Sequence, residues 1–203
     1  IPGVSALHLA LCEDPDHVRK VADRVSQLET ERGIAPGTIR LIAMLESPAA
    51  LLLARKIATA SPRMAGLTLG MEDYATAMGA TPNADLLRPA CYQITQAARA
   101  AGIAPLAVPA SMANFRDAEE MEGAAGWARR IGAVGGYAVH PVQVEILNRV
   151  FAPSEEEIAW AHRVVEAAAR AKREGAGVFT VDGKMVDLPI ITRAHDIIGR
   201  QPG

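Results

Sequence analysis

Two carboxylates stand out by position. Glu46 ends the apolar run TIRLIAML (38–45), and Asp73 follows GLTLGM (66–71), 27 residues later. That interval is about one strand–helix–strand repeat, so both residues are expected on neighbouring strand ends. Two adjacent carboxylates facing a cleft suit a hard divalent cation that keeps water in its remaining positions, as Mg²⁺ does. The plainer alternative is that Glu46 caps nearby backbone and Asp73 opens the next turn. Gly70, directly before Met71-Glu72-Asp73, lets backbone N–H groups come close to an anionic ligand. Gly70, Met71, Glu72 and Asp73 are therefore the candidate substrate-binding residues, and Glu46 and Asp73 the candidate catalytic and metal-binding ones. Glu13 and His140 also stand at expected strand ends, but a lone His there is more often structural than catalytic.

Other chemistries lack their residues. The chain has no GxGxxG or Walker pattern, so nothing marks a dinucleotide or nucleoside-triphosphate site. Ser5 and Ser111 lack a nucleophile-elbow context, and Cys91 sits inside a helical pattern. The two cysteines, Cys12 and Cys91, make neither a disulfide framework nor a zinc site.

The elements that position these residues alternate along the chain. Apolar runs at Ser5–Leu11, Thr38–Leu45, Met64–Leu69, Ala104–Val108 and Val134–Val139 read as buried strands. Helices are expected after them: from Asp14-Pro15 to Gly33, from Ser47-Pro48 through Thr59, and near Leu86–Ala101, Asp117–Arg130 and Val142–Val150. Strands apolar on both faces, each followed by a helix, mean a parallel sheet covered by helices. Either an open doubly wound sheet or part of an eight-stranded barrel fits five such units; a full barrel usually needs about 250 residues. With Ile1 almost directly before a strand, the expected division is barrel units over 1–150 and a tail of different character over 151–203. In the tail, Ser154 to Glu157 is a capping box opening a helix to about Lys172. Asp182-Gly183 is a hairpin turn, and Asp187 can cap a last helix to about Gly199.

Composition narrows the function classes. The chain has 203 residues, 50% hydrophobic and 22% charged, with a formal net charge of −2. This is a globular profile without the basic excess of a general nucleic-acid binder. No apolar run approaches the roughly 18 residues of a membrane span. The expectation is a cytoplasmic protein with no nucleic-acid or membrane partner.

Four segments taken in order carry a family resemblance: LIAMLESPAALLLARKIA, GLTLGMEDYATAMG, GGYAVHPVQVEILNRVFAPSEEEIAWA and VFTVDGKMVDLPI. They resemble the citrate lyase β-subunit-like family, within the HpcH/HpaI aldolases, which also holds malyl-CoA and citramalyl-CoA lyases. The resemblance implies a TIM barrel of the pyruvate-aldolase (phosphoenolpyruvate-binding) type, with its N-terminal strands absent from this sequence and a C-terminal helical and hairpin lid. It implies an Mg²⁺-dependent carbon–carbon lyase acting between an oxo-acid and an acyl-CoA thioester. Glu46 matches the family's metal-binding Glu after the fifth strand, and Asp73 its metal-binding Asp after the sixth. The amides around Gly70–Asp73 would face the oxo-acid carboxylate. The tail resembles an extension that folds over a neighbouring subunit, which implies a homo-oligomer, a trimer or a multiple of one. There are departures. The family's Pro-Lys at the fourth strand end stands here as Ala10-Leu11, and its Arg–x–Asn strand is missing. A free-acid pyruvate aldolase and a non-catalytic subunit that retains the scaffold are the alternatives.

Overall fold

A computed structural model describes residues 3–175 and 177–200; Ile1 lies outside them. The chain divides into two compact units after Phe151.

The first unit is an α/β layer in which strands alternate with helices. β1 (Ala6–Leu9), β2 (Arg40–Leu45), β3 (Met64–Leu69) and β4 (Ala104–Leu106) form one sheet, parallel throughout and in sequence order. A strand order that never reverses is the winding of a (β/α) barrel, not of a doubly wound sheet. Alternation along β2 shows how the sheet is covered. Leu41, Ala43 and Leu45 are fully buried in the main core with Leu9, Leu67 and Leu69, whereas Ile42 and Met44 on the other face are only partly buried. Register places His8, Ile42, Gly66 and Ala104 in one row across that second face.

The covering helices start where local chemistry dictates. α1 (Pro15–Glu31) is capped by Asp14, whose side chain accepts from the His17 amide, and Pro15 fits the first helical position. Gly33, at a φ of +64°, ends it. Ser47 caps α2 (Pro48–Leu52). The single helix expected over this stretch is instead two, because the ladder breaks at Leu53 before α3 (Ala54–Ala58). A short helix that the sequence pattern did not announce, α4 (Met71–Ala77), follows β3. α5 (Ala84–Ala100) packs on β3, β4 and α3. After β4 come a single 3-10 turn at Met112–Asn114, α6 (Ala118–Arg130) and α7 (Pro141–Phe151), the last two packed together around a second core of Val108, Met121, Ala125, Ala128 and Ile146.

The expected strand at Val134–Val139 is reduced to one parallel bridge, Leu106 to Gly135, with Val134 N–H donating to Pro105 O at 3.0 Å. The Gly135-Gly136 pair explains the shortfall. Glycine weakens a strand, and a Cβ on Gly136 would lie 2.5 Å from Val108 Cγ2, so this segment is held by close backbone packing.

The second unit consists of α8 (Glu155–Arg173), the hairpin β5 (Phe179–Val181) and β6 (Lys184–Val186), and α9 (Leu188–Ile198). Both halves of the Ser154–Glu157 capping box are present. Asp187 occupies the N-cap position of α9 but its side chain makes no capping hydrogen bond. Val181 and Val186 are buried with Ala161, Val164 and Ala194 in this unit's own core, while Val178, Met185 and Leu188 remain exposed.

Candidate active site

The site is built at the carboxyl ends of β1, β2 and β3. Glu46 is the first residue beyond β2 and is 8% exposed, unusual burial for a carboxylate that makes no ion pair among the described residues. Its Oε2 accepts a hydrogen bond from the Leu11 amide in the β1–α1 loop. Leu11 reaches that geometry with a φ of +48°, a left-handed conformation uncommon for leucine. The same loop is tied down a second time. Ser47 Oγ donates to Glu13 Oε2 at 2.6 Å while also accepting from the Ala50 amide to cap α2.

On its other side Glu46 lies against the backbone of β3's end. A Cβ built on Gly70 would sit 2.3 Å from Glu46 Cγ and 2.7 Å from Oε1. The φ of Gly70 is −85°, so the demand for glycine here is steric and not conformational. Gly70→Ala is therefore expected to push Glu46 off its position and lower any Glu46-dependent rate by roughly 10²-fold, the effect of a misplacement near 1 Å. Steady-state kinetics of the purified variant checks this; a rate equal to the parent's contradicts it.

The Gly70 amide itself is engaged within the sheet. It donates to Leu45 O at 2.9 Å, continuing the ladder between β2 and β3. The amides left for an anion are those of Met71, Glu72 and Asp73, the first turn of α4, which have no acceptor within their own helix. Met71 is buried, and Glu72 turns toward the neighbouring loop, where Ser111 Oγ donates to its Oε1.

Electrostatics links the acidic groups. Burial pushes the Glu46 carboxyl above the ordinary carboxylate range, the Leu11 hydrogen bond opposes that, and the negative charges of Asp73 and Glu13 raise it further. The charge of Asp73, at the end of the neighbouring strand, thus reaches Glu46. Glu13 joins them as a third acidic group to which sequence reasoning assigned no role. A bound cation would relieve the mutual repulsion. Among the described residues no group of three or more His, Cys, Asp and Glu side chains gathers as a metal cage. Two carboxylates with water in the remaining positions would suit Mg²⁺ better than a metal that needs a closed protein shell.

His140 is held more firmly than a surface loop requires. Its backbone amide and that of Val139 both donate to Oε1 of Gln143, which is 2% exposed, and the Val142 amide donates to its Nδ1 at 3.3 Å. Burial pushes the Cys12 and Cys91 thiols up to about 11 and about 12, so neither is a thiolate nucleophile near neutrality.

The sequence matches the model of the HpcH/HpaI aldolase/citrate lyase family over residues 2–141, a span that contains Leu11, Glu13, Glu46, Gly70 to Asp73 and His140. It is 35% identical over 200 residues to citrate lyase subunit beta of Haemophilus influenzae, covering 98% of this chain and 68% of that one. It is 32% identical over 193 residues to the L-malyl-CoA/beta-methylmalyl-CoA lyase of Rhodobacter capsulatus, covering 86% of this chain and 60% of that one. Among solved structures it is similar to protein CitE from Mycobacterium tuberculosis in complex with magnesium, acetoacetate and coenzyme A. The TM-score there is 0.73 at 27% identity, with 97% of this chain and 68% of that one covered. The chain spans about two thirds of the length of the citrate lyase subunits it matches. With the strand winding and these matches in agreement, the chain belongs to the HpcH/HpaI aldolase/citrate lyase family.

Proposed function

We propose that this chain carries the metal site of an Mg²⁺-dependent carbon–carbon lyase that cleaves or forms the bond between an oxo-acid and an acyl-CoA thioester of the citryl-, malyl- or citramalyl-CoA kind. The observation that carries the reading is the buried Glu46 carboxylate, fixed by the Leu11 amide and by Gly70, with Asp73 close by. The chemistry of the relatives supports it. The Rhodobacter protein is a malyl-CoA lyase by name, and the Mycobacterium structure holds magnesium, an oxo-acid and coenzyme A together.

In this reading Glu46 and Asp73 hold the cation. When bound, Mg²⁺ supplies Lewis-acid polarisation of the carbonyl and carboxylate oxygens of the oxo-acid. The Leu11 amide fixes the rotation of the Glu46 carboxylate, so that one oxygen is engaged and the other is presented. The amides of Met71, Glu72 and Asp73, in the first turn of α4, donate to the oxo-acid carboxylate. Glu72, held by Ser111, keeps the loop after β4 against that first turn. The thioester branch is favoured over a free-acid aldolase because the match to the citrate lyase subunit covers 98% of the chain, and so includes much of the tail beyond the family model's last residue, 141.

We infer further that the protein is cytoplasmic and that the tail lies against a second copy, most simply in a trimer. Among the described residues no helix is long and apolar enough to cross a membrane. Val178, Met185 and Leu188 are 58%, 62% and 73% exposed, apolar groups that a neighbouring surface would cover. Light scattering at micromolar concentration is expected to give a multiple of the chain mass, and Met185→Glu to reduce it; a monomeric parent contradicts the shared-surface reading. The function itself is tested by incubating malyl-CoA and citramalyl-CoA with the protein and Mg²⁺. Release of an oxo-acid and an acyl-CoA that stops on chelation supports the reading, and no release from either thioester removes it.

A further inference from the structure

The backbone at Leu11 is held against its own preference. Its φ of +48° lies in the left-handed region, which a glycine enters freely and a leucine does not. Packing does not explain the conformation, because the Leu11 side chain is 62% exposed. What it does fix is the direction of the Leu11 amide, since φ sets the plane of the peptide group that carries it. That amide donates to Glu46 Oε2. Strain of this kind persists only where the surroundings over-determine the backbone.

The residues after Leu11 are each anchored. The Cys12 amide donates to Met44 O at 3.1 Å, and the Asp14 side chain accepts from the His17 amide at 2.8 Å. These are an ordinary ladder bond beyond a strand end and an ordinary helix cap. The bond of Glu13 is of another kind. Its Oε2 accepts from Ser47 Oγ at 2.6 Å, and Ser47 is the residue next to Glu46. The β1–α1 loop and the turn between β2 and α2 are thus joined twice, once from the Leu11 amide to Glu46 and once through Glu13 and Ser47. Ser47 is itself fixed, because its Oγ also accepts from the Ala50 amide at 3.1 Å. We propose that Glu13 is a positioning residue of the carboxylate site: latched to Ser47, it holds Leu11 in the left-handed conformation that aims its amide at Glu46. Glu13 acts through Leu11 and not on the cation. This rests on the reading of Glu46 as a metal ligand given above, and it adds the contact that orients that ligand.

The test reads the latch with and without metal. In the metal-free protein, Glu13→Ala is expected to speed hydrogen exchange of the Leu11 amide roughly tenfold, the usual worth of one hydrogen bond to a charged group. Calorimetry should show Mg²⁺ binding weakened by a similar factor. The thermal midpoint should stay near the parent's, because releasing the strained Leu11 offsets the lost bond. Glu13→Gln keeps an oxygen for Ser47, so it should keep the parent exchange rate and weaken Mg²⁺ binding less. Leu11→Gly, which enters the left-handed region without strain, should restore Mg²⁺ affinity in the Glu13→Ala background. Unchanged Leu11 exchange in Glu13→Ala, equal loss of Mg²⁺ affinity in Glu13→Gln and Glu13→Ala, or no rescue by the glycine overturns the latch while leaving Glu46 as a ligand. If the parent binds no Mg²⁺, the metal reading has failed and exchange alone decides. A faster Leu11 amide in Glu13→Ala then supports the latch, and an unchanged one overturns it.

Discussion

Glu46→Gln is expected to lower metal-dependent thioester cleavage by roughly 10²- to 10³-fold, the several kcal/mol that metal polarisation contributes. The substitution keeps the shape of the side chain, so it still fits beside Gly70, where a Cβ would meet Glu46 Cγ at 2.3 Å. It also keeps an oxygen that can accept from the Leu11 amide. What it removes is the charge. In the metal-free fold that charge is a liability, since burial and the nearby Asp73 and Glu13 hold the Glu46 carboxyl above the ordinary range. The variant's thermal midpoint without metal should therefore be equal to or higher than the parent's, while its rate falls. Loss of rate with a gain in stability separates a functional carboxylate from a structural one. A variant that loses both contradicts the assignment.

The largest effect on stability is expected at the opposite end of the sheet. Arg63, directly before β3, and Glu29, on the buried face of α1, are 8% and 2% exposed. Arg63 Nη1 donates to Glu29 Oε1 at 2.9 Å and to Ile39 O at 3.0 Å, and Nη2 donates to Ser26 Oγ at 2.9 Å and to Glu29 Oε2. The Gly37 and Ile39 amides complete the carboxylate's shell at 2.9 and 2.8 Å. Arg63→Met would leave Glu29 charged and buried without its partner, and should lower the thermal midpoint by roughly ten degrees. The hydrogen bond from Arg63, then those from the Ile39 and Gly37 amides, hold the Glu29 carboxyl at about 2, well below its ordinary value of 4.5. A carboxyl held below its unfolded value stabilises the fold above the ordinary carboxylate range, and the contribution is lost as pH falls toward 2. Glu29→Gln should accordingly flatten the acid limb of the stability curve between about pH 4.5 and 2. Urea titrations across that range check it, and an unchanged slope contradicts it.

The parts of this molecule that were legible in the sequence are those governed by local chemistry. The strand at Met64–Leu69 is fixed by a continuous apolar run, and the starts of α1, α2, α6 and α8 by Asp14, Ser47, Asp117 and Ser154, all of which make their capping bonds. What escaped has no local signature. α4 begins at Gly70, which has no side chain to cap it, so MEDYATA read as loop. The bond from Leu11 to Glu46 joins residues 35 apart, through a left-handed leucine that no pattern announces. The stack of Phe115 on His140 is likewise a product of tertiary structure. The Glu29–Arg63 clasp escaped as well. Glu29 continues the apolar face of α1 after Val18, Ala22 and Val25, and a carboxylate on a buried face demands a cation. Only the fold identifies that cation as Arg63.

The central claim is that Glu46 and Asp73 share one divalent cation. Calorimetric titration of the parent, Glu46→Gln and Asp73→Asn with Mg²⁺, each at a pH where the carboxylates are ionised, tests it most directly. The account predicts a single site in the parent and affinity at least roughly tenfold weaker in both variants, since each removes one of the two charged ligands. Equal Mg²⁺ affinity in all three proteins would contradict it.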